Sequence, residues 1–571
     1  MYRICLMTCA TAIVACSCSE KKEISKKNNV LLIVVDDMGF SDTQAFGGEI
    51  NTPNINRLAD NGVRFTRFHT SSLSAPTRSM LLTGVDNHQN GLGVMPSFHS
   101  ENQYMQPGYD GYLNKNVMTI AETLKQNNYY TCMAGKWHLG SRKGYMPNDR
   151  GFENSFSMLG GGACHFSNFF ALSKGESPAT FYVDNGKIVE NLPDDFYSSN
   201  YYTDKILEYI DNCPEDKPFF AYLAYTAPHD PLQVPKEWAD KYKGRYNGGY
   251  DSLRISRFNR IKELGIVPAD MPYPELTGDN PTWDSLSDEQ RQEQSRKMEI
   301  YASMIECVDY NIGRLLDKLE KDGKLDNTIV IFMSDNGANP KEPYNYPESS
   351  KEYVTKNFNN ELDNYGNPTS FISQGAAWAE VSNTPYTRYK KTTNEGGICT
   401  PLIVYSKNFI NDSHLDTTTL LHVADIYPTI MELTGTTRPE TFNNIKLAPV
   451  YGTSFAANLN QQSPTNNRTL CFEMCEDKAV IKGEWKAVLL TKPYGDNKTW
   501  KLYNIKHDLA EKHDLAKENP EVLKELVDEW NAYAKSVSYI KNNGHRTALR
   551  IGSEAFYEFD KENILKEYNQ D

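Results

Sequence analysis

Ser74-Ala75-Pro76-Thr77-Arg78 is the stretch of this chain whose residue types most invite chemistry. A run of small hydroxyl residues breaks off, a proline falls in what would be a helix's first turn, and Met80-Leu81-Leu82 carries on to Thr83-Gly84. Proline is tolerated at the first helical position because its missing N–H has no intrahelical partner there. Ser74 is thereby predicted at or just before a helix N-terminus, where free N–H groups and the dipole favour an anion. Arg78 follows at the i, i+4 spacing that puts two side chains on one helix face. A hydroxyl, an anion-favouring helix end and a guanidinium together suit sulfate or phosphate. The bland alternative is an ordinary serine cap.

Other chemistry-bearing residues stand just past apolar runs. Asp36-Asp37 follow Val30-Leu31-Leu32-Ile33-Val34-Val35, and Ser334-Asp335-Asn336-Gly337 follow Thr328–Met333. Acids at the ends of two parallel strands can converge on one point, and three carboxylates with an amide are hard oxygen donors suited to calcium or magnesium. Turn chemistry alone would explain either pair, but not both pairs together with the Ser74 motif. Gly135-Lys136-Trp137-His138-Leu139-Gly140 ends a third strand, and a lysine and histidine two apart in extended backbone point to one side. Ala227-Pro228-His229-Asp230-Pro231 holds a histidine in a rigid turn after the strand at 218–225. Lys390 stands in a basic loop ahead of Glu395-Gly396-Gly397-Ile398.

Those strings, in this order, resemble the type I sulfatases. S-x-P-x-R followed by L-L-T-G is similar to the family's modification signature, and G-K-W-H-L-G and Y-K-x-x-x-x-E-G-G-I to two of its active-site segments. The likeness runs over about residues 30–510, including Asp425-Ile426-Tyr427-Pro428-Thr429 and Leu502-Tyr503-Asn504. Pro281–Leu319 and Asn383-Thr384-Pro385 look most like the bacterial arylsulfatase branch. Thr77 departs from the Ser or Ala more common there.

The resemblance implies that Ser74 is converted to Cα-formylglycine, in the serine form by an anaerobic radical maturase. It implies that Asp36, Asp37, Asp335 and Asn336, with position 74, ligate one divalent cation, usually Ca2+, with Mg2+ as the alternative. Lys136 would stabilise the formylglycine hydrate and His138 act as the base that releases sulfate. His229 would contact the ester and assist the leaving group, and Lys390 would be the second active-site lysine. Arg78 joins them in holding sulfuryl charge. The substrate expected is an aryl sulfate, a sulfated saccharide or a steroid-like sulfate. The rivals are a phosphomonoesterase or phosphonate hydrolase of the same superfamily, and a non-catalytic lipoprotein that binds sulfated glycans.

What must position these residues is a doubly wound α/β domain with a mostly parallel sheet, since strands alternate with helices along the chain. Helices are predicted near 54–61, 117–127 and 201–212 and, following Asp284-Ser285-Leu286-Ser287-Asp288-Glu289, to about Lys321, and strands at 63–68 and 129–134. From about 440 short runs at 469–475, 478–482, 485–491 and 499–505 suggest an antiparallel sheet, with a helix near 520–536 over one face. Residues 29–440 thus read as an alkaline-phosphatase-like catalytic domain and 441–571 as a smaller C-terminal α+β domain. Stretches 160–200 and 340–380 read as long irregular pocket walls. They carry Phe166, Phe169, Phe170, Phe196, Tyr197, Tyr344, Tyr346, Tyr353, Phe371 and Trp378.

With 571 residues, 39% hydrophobic and 23% charged, the chain has the balance of a soluble globular protein. A net charge of −14 argues against nucleic acid or an anionic membrane surface as partner, so an anionic substrate needs local positive groups. Residues 1–16 read as a secretory leader: Arg3, a short apolar core, then small residues. Ile13-Val14-Ala15-Cys16 resembles a bacterial lipobox with Cys16 lipidated, Cys18 being the weaker candidate and plain cleavage the alternative. A periplasmic or outer-membrane-anchored lipoprotein follows, joined to its anchor by a lysine-rich linker at 17–28. The seven cysteines outside the leader match no zinc spacing and make no disulfide framework, though the spacing of Cys471 and Cys475 allows a bridge.

Overall fold

The computed structural model describes residues 27–544 apart from 105, 171, 173–181, 347–350 and 461–467. The leader, Cys16 and Cys18 lie outside the described residues. The apolar run after Asn29 forms β1 (Asn29–Val35), buried along its whole length. Around it stand β2 (Val63–His69), β3 (Tyr130–Lys136), β4 (Asn154–Met158), β5 (Phe219–Ala224), β6 (Thr328–Ser334) and β7 (Cys399–Tyr405). The spatial order is β2-β7-β6-β1-β5-β3-β4. Ile33 pairs with Leu223 on one side and Phe332 on the other, both in parallel register.

β6, β1, β5, β3 and β4 are parallel neighbours, so their carboxyl ends open on one edge, where ligands bind in such sheets. β7 runs against both β6 and β2, which brings its amino end, and the carboxyl end of β2, to that same edge. Short strands extend both flanks: His414–Asp416 and Leu421–His422 beside β2, and Tyr182–Asp184 with Lys187–Ile188 beyond β4.

The continuous apolar runs have a simple cause. Leu31, Ile33 and Val35 enter a core shared with Ile300, Met304 and Leu315, while Val30, Leu32 and Val34 enter another with Leu81, Leu82 and Ile430. Both faces of the sheet are covered. The first core is closed by the long helix, Asp288–Lys321. Its start is set by Ser287, whose side chain accepts from the Gln290 N–H while Gln290 reaches back to the Ser287 N–H. Trp283–Ser285 forms a separate 3-10 turn ahead of it.

The C-terminal strands β8 (Thr469–Met474), β9 (Asp477–Lys482), β10 (Trp485–Leu489) and β11 (Lys501–Asn504) pair consecutively and antiparallel. Helix Pro520–Ser536 covers one face through Leu526 and Trp530. Leu470, Phe472 and Ile481 on the other face pack with Ile398 and Leu420 of the large sheet's loops.

The pocket-wall reading of 160–200 and 340–380 holds only in part. Helices Lys351–Asn357 and Ala376–Ser382 and a short strand lie there. Phe196, Tyr197, Phe371 and Trp378 are buried in packed clusters instead of lining an opening. Trp378, for instance, meets Tyr250 and Trp283 edge-on, with centroids 4.6 and 5.9 Å apart. Among the described residues the seven cysteines, Cys471 and Cys475 included, form no disulfide. Among the described residues, no helix is long and apolar enough to cross a membrane.

Candidate active site

The sequence-predicted residues meet at the carboxyl edge of the sheet, all of them buried except His138, which is partly exposed. Ser74 is the first residue of helix Ser74–Thr83, after Leu73 as N-cap, and Gly84 ends the helix in the left-handed conformation. Pro76 is therefore two positions further in than expected; its missing N–H still falls among the unpaired donors of a first turn. The Ser74 hydroxyl lies 3.2 Å from Asp36 Oδ1 and 3.2 Å from Asn336 Oδ1. Residues that leave β1 and β6 thus close on the helix that follows β2.

Each acid has a cation. Arg78 places Nε and Nη2 on Asp335 Oδ2 at 3.0 and 2.8 Å, and its Nη1 meets the Tyr222 hydroxyl at 3.3 Å. Lys136 donates to Asp36 Oδ2 at 2.7 Å. Lys390 straddles Asp37 at 2.6 and 2.8 Å, while Asn336 Nδ2 donates to Asp37 Oδ1 at 2.6 Å. The neighbouring Lys391 turns away, with its ammonium 5.2 Å from the Phe98 ring centre. Three carboxylates and three cations balance.

Burial by itself would raise the Asp36 and Asp37 carboxyls, but Lys136 beside one and Lys390 beside the other outweigh it and hold both below the ordinary value. Burial lowers Lys136, aided by Arg78 and opposed chiefly by Asp36. Burial likewise opposes charge on Lys390, but Asp37, Asp36 and Asp335 prevail and raise it.

His229 Nε2 faces Asp37 Oδ2 at 3.3 Å, and its Nδ1 donates to the Asp230 carbonyl at 2.8 Å. Burial pushes this imidazole down to about 4 against the pull of Asp37 and Asp36. His138 reaches the site by a route that strand alternation did not predict. Lys136 is the last residue of β3, and His138 has φ +58°, outside extended backbone. Its Nδ1 is buried without a hydrogen-bond partner, and burial with Lys136, Arg78 and Lys390 holds the ring well below the ordinary histidine value.

Backbone in rare conformations marks this edge. Asp37 has φ +65°, and left-handed non-glycine residues of this kind persist only where surroundings over-determine them. Gly337 lets two segments touch: a Cβ there would lie 1.8 Å from the Gly396 carbonyl oxygen.

The donor set bears on a metal. Asp36, Asp37 and His229 offer ligand atoms within 4.8 Å of one another; Asp335 Oδ1 accepts from the Asp37 N–H, and Asn336 Oδ1 lies 3.2 Å from the Ser74 hydroxyl. Carboxylate and amide oxygens without a thiol fit a hard divalent cation. Sequence reasoning missed Tyr222, Asn339 and the Asp230 side chain, and took Tyr346 only as a pocket-wall aromatic. Tyr346 OH and Asn339 Nδ2 hold Asp230 Oδ2 at 2.7 and 2.9 Å. No spacing rule links these positions.

Buried acids at the carboxyl edge of a mostly parallel sheet, closing on a hydroxyl at a helix N-terminus, make a site suited to an anionic ester. The sulfatase family model matches residues 28–436. An arylsulfatase of Klebsiella aerogenes is 42% identical over 433 residues, 76% of this chain and 92% of that one. A sulfatase of Schizosaccharomyces pombe described as uncharacterized is 41% identical over 545 residues, 93% of this chain and 98% of that one. The solved structure of Ps i-CgsB in complex with k-i-k-neocarrahexaose superposes with a TM-score of 0.64 at 24% identity, covering 94% of this chain and 99% of that one. The chain belongs to the sulfatase family and is a sulfuric ester hydrolase.

Proposed function

We propose that the chain hydrolyses sulfate monoesters at position 74, with Ser74 matured to formylglycine by an anaerobic radical enzyme. The observation that carries this reading is the Ser74 hydroxyl equidistant at 3.2 Å from an acid that follows β1 and an amide that follows β6. Hydration of the aldehyde would put two hydroxyls on one carbon, one to attack and one to release sulfate. Asp36, Asp37, Asp335 and Asn336 would hold a divalent cation, Ca2+ by the resemblance, and the cation would supply charge to a sulfuryl oxygen and acidity to a hydroxyl at position 74.

The chain's own residues supply the remainder. Arg78, clamped on Asp335, fixes that carboxylate and adds positive charge beside position 74. Lys136 and Lys390 present ammonium groups to sulfuryl oxygens, the preorganised stabilisation that commonly contributes most. Two groups could give the leaving oxygen its proton. They are Lys390, whose ammonium lies on Asp37, and His229, whose Nε2 faces Asp37 at 3.3 Å. His138, kept neutral and with Nδ1 unpaired, is suited to take the proton whose removal releases sulfate. The composition of the leader supports export through a lipidated Cys16, which places the reaction outside the cytoplasm.

Mass spectrometry of the Ser74 peptide, from cells with and without the maturase, tests the modification. Loss of two hydrogens only where the maturase is present is expected; an unmodified serine in active protein would refute it. Parallel assays with nitrophenyl sulfate and nitrophenyl phosphate test the ester, and preference for phosphate would overturn the reading.

A further inference from the structure

Lys341 is a cation the proposed reaction does not use. Among the described residues its ammonium has no carboxylate within ion-pair distance and no hydrogen-bond acceptor; its contacts are ring faces, Tyr346 at 4.3 Å and Phe98 at 5.8 Å from the centres. The side chain is only partly exposed. Its electrostatic neighbours are Lys391, Lys390, Asp37 and Asp230, so it stands near the site. Asp230 is already engaged by Tyr346 and Asn339. A half-buried ammonium beside two further lysines is unfavourable in itself, and a cation–π contact offsets only about 1–2 kcal/mol of that.

The Tyr346 ring relates this cation to the chemistry. It lies 6.2 Å, centre to centre, from the His229 ring and carries Lys341 over its face. The segment is braced, because the Lys341 N–H donates to Asn339 Oδ1 at 3.2 Å and Asn339 Nδ2 donates to the Tyr346 hydroxyl at 2.7 Å. Through this shared ring Lys341 is linked to His229, a residue facing the leaving group in the proposed reaction.

We propose that Lys341 binds a second oxyanion of the substrate, a carboxylate or an additional sulfate borne by the leaving group. This rests on the sulfatase reading and narrows its substrate class to dianionic esters, with Tyr346 and Phe98 as the apolar faces against which the leaving group's ring lies. In a chain of net charge −14, Lys341 and Lys391 beside the site would supply local positive charge for a doubly charged substrate.

The test uses matured, metal-loaded enzyme and two matched pairs. One is 4-nitrophenyl sulfate against its analogue with a carboxylate ortho to the nitro group. The other is a monosulfated against a disulfated monosaccharide. Wild-type kcat/KM should favour the dianionic member of at least one pair, and the preference should shrink with added salt. Lys341→Met should reduce the dianion-to-monoanion ratio about tenfold or more in that pair, chiefly through KM, and Lys341→Arg should largely restore it. The pair that responds identifies the anion. No wild-type preference in either pair, or ratios unaltered within twofold in Lys341→Met, would overturn the proposal. Failure of wild type to hydrolyse any of the four sulfates would instead sink the sulfatase reading, so the two failures are distinct.

Discussion

Lys486→Met should unsettle the catalytic edge from the far side of the small sheet. Lys486 is fully buried on β10 and bridges Glu395 at 2.7 Å and Glu511 at 3.0 Å. Glu395 also meets His69 Nε2 at 2.9 Å, and its own N–H donates to Glu511 at 2.8 Å. Removing the ammonium leaves two carboxylates facing each other out of water. Breaking a buried pair in this way costs about 3–5 kcal/mol. In the intact protein burial and Glu395 already raise the Glu511 carboxyl, while Lys486 and His69 hold Glu395 low; without the lysine Glu511 should rise further and Glu395 should rise from its lowered value. A folded-state carboxyl raised above its unfolded value contributes stability at low pH that is lost as pH climbs. The variant's thermal midpoint should therefore lie nearer to wild type at pH 5 than at pH 8. Lys486→Met with Glu511→Gln, which deletes one of the two charges, should recover part of the loss at pH 8. Activity should fall as well, because Glu395 anchors the loop that carries Lys390. An equal loss at both pH values, or no recovery in the double variant, would refute the reasoning.

Three further outcomes are expected. Asp335→Asn should lower bound divalent metal by elemental analysis and release Arg78; unchanged metal content would show that Asp335 is no ligand. His138→Ala should permit formation of the sulfated enzyme, detectable by intact mass, and lower steady-state turnover at least a hundredfold. Burial opposes charge on His88, but hydrogen bonds to Asp86 and Glu473, each 3.0 Å, raise it to about 9. Its contribution of about 3 kcal/mol should be complete below pH 6.5 and fade as pH rises through 9, so that wild type and His88→Gln converge in thermal midpoint above pH 9.

The strand ends were legible because buried parallel strands are unbroken apolar runs, and a change to Asp, His or Asn at the end of such a run is conspicuous. That is how Asp36, Asp335 and His229 could be found. Helix Pro520–Ser536 was legible to the residue, since Pro520 opens it and its apolar stripe is regular. Helix Gly249–Glu263 escaped notice for a physical reason: its buried face carries Arg254 and Arg257 where an apolar stripe would normally stand. Arg254 donates to the carbonyls of Pro274, Glu380, Pro385 and Tyr386, and Arg257 pairs with Asp42 and Glu49. Aromatic residues misled for the converse reason, since Trp378 lies in a chemistry-rich stretch yet serves the core. Lys341, Tyr346 and Lys486 matter through partners far along the chain, and no local pattern records such pairings.

The bridge from Lys486 has a bearing on how the molecule comes into being. Every residue assigned to the reaction lies between positions 36 and 390, yet the ammonium that steadies the Lys390 loop arrives nearly a hundred residues later, and its second carboxylate later still. A nascent chain halted before β8 would hold the whole catalytic inventory with Ile398 stripped of Leu470, Phe472 and Ile481 and Glu395 lacking the Lys486 charge. Competence is thereby deferred to the end of synthesis, and a fragment that stops where the family's shared region stops would carry every reactive group without the means to keep them in place.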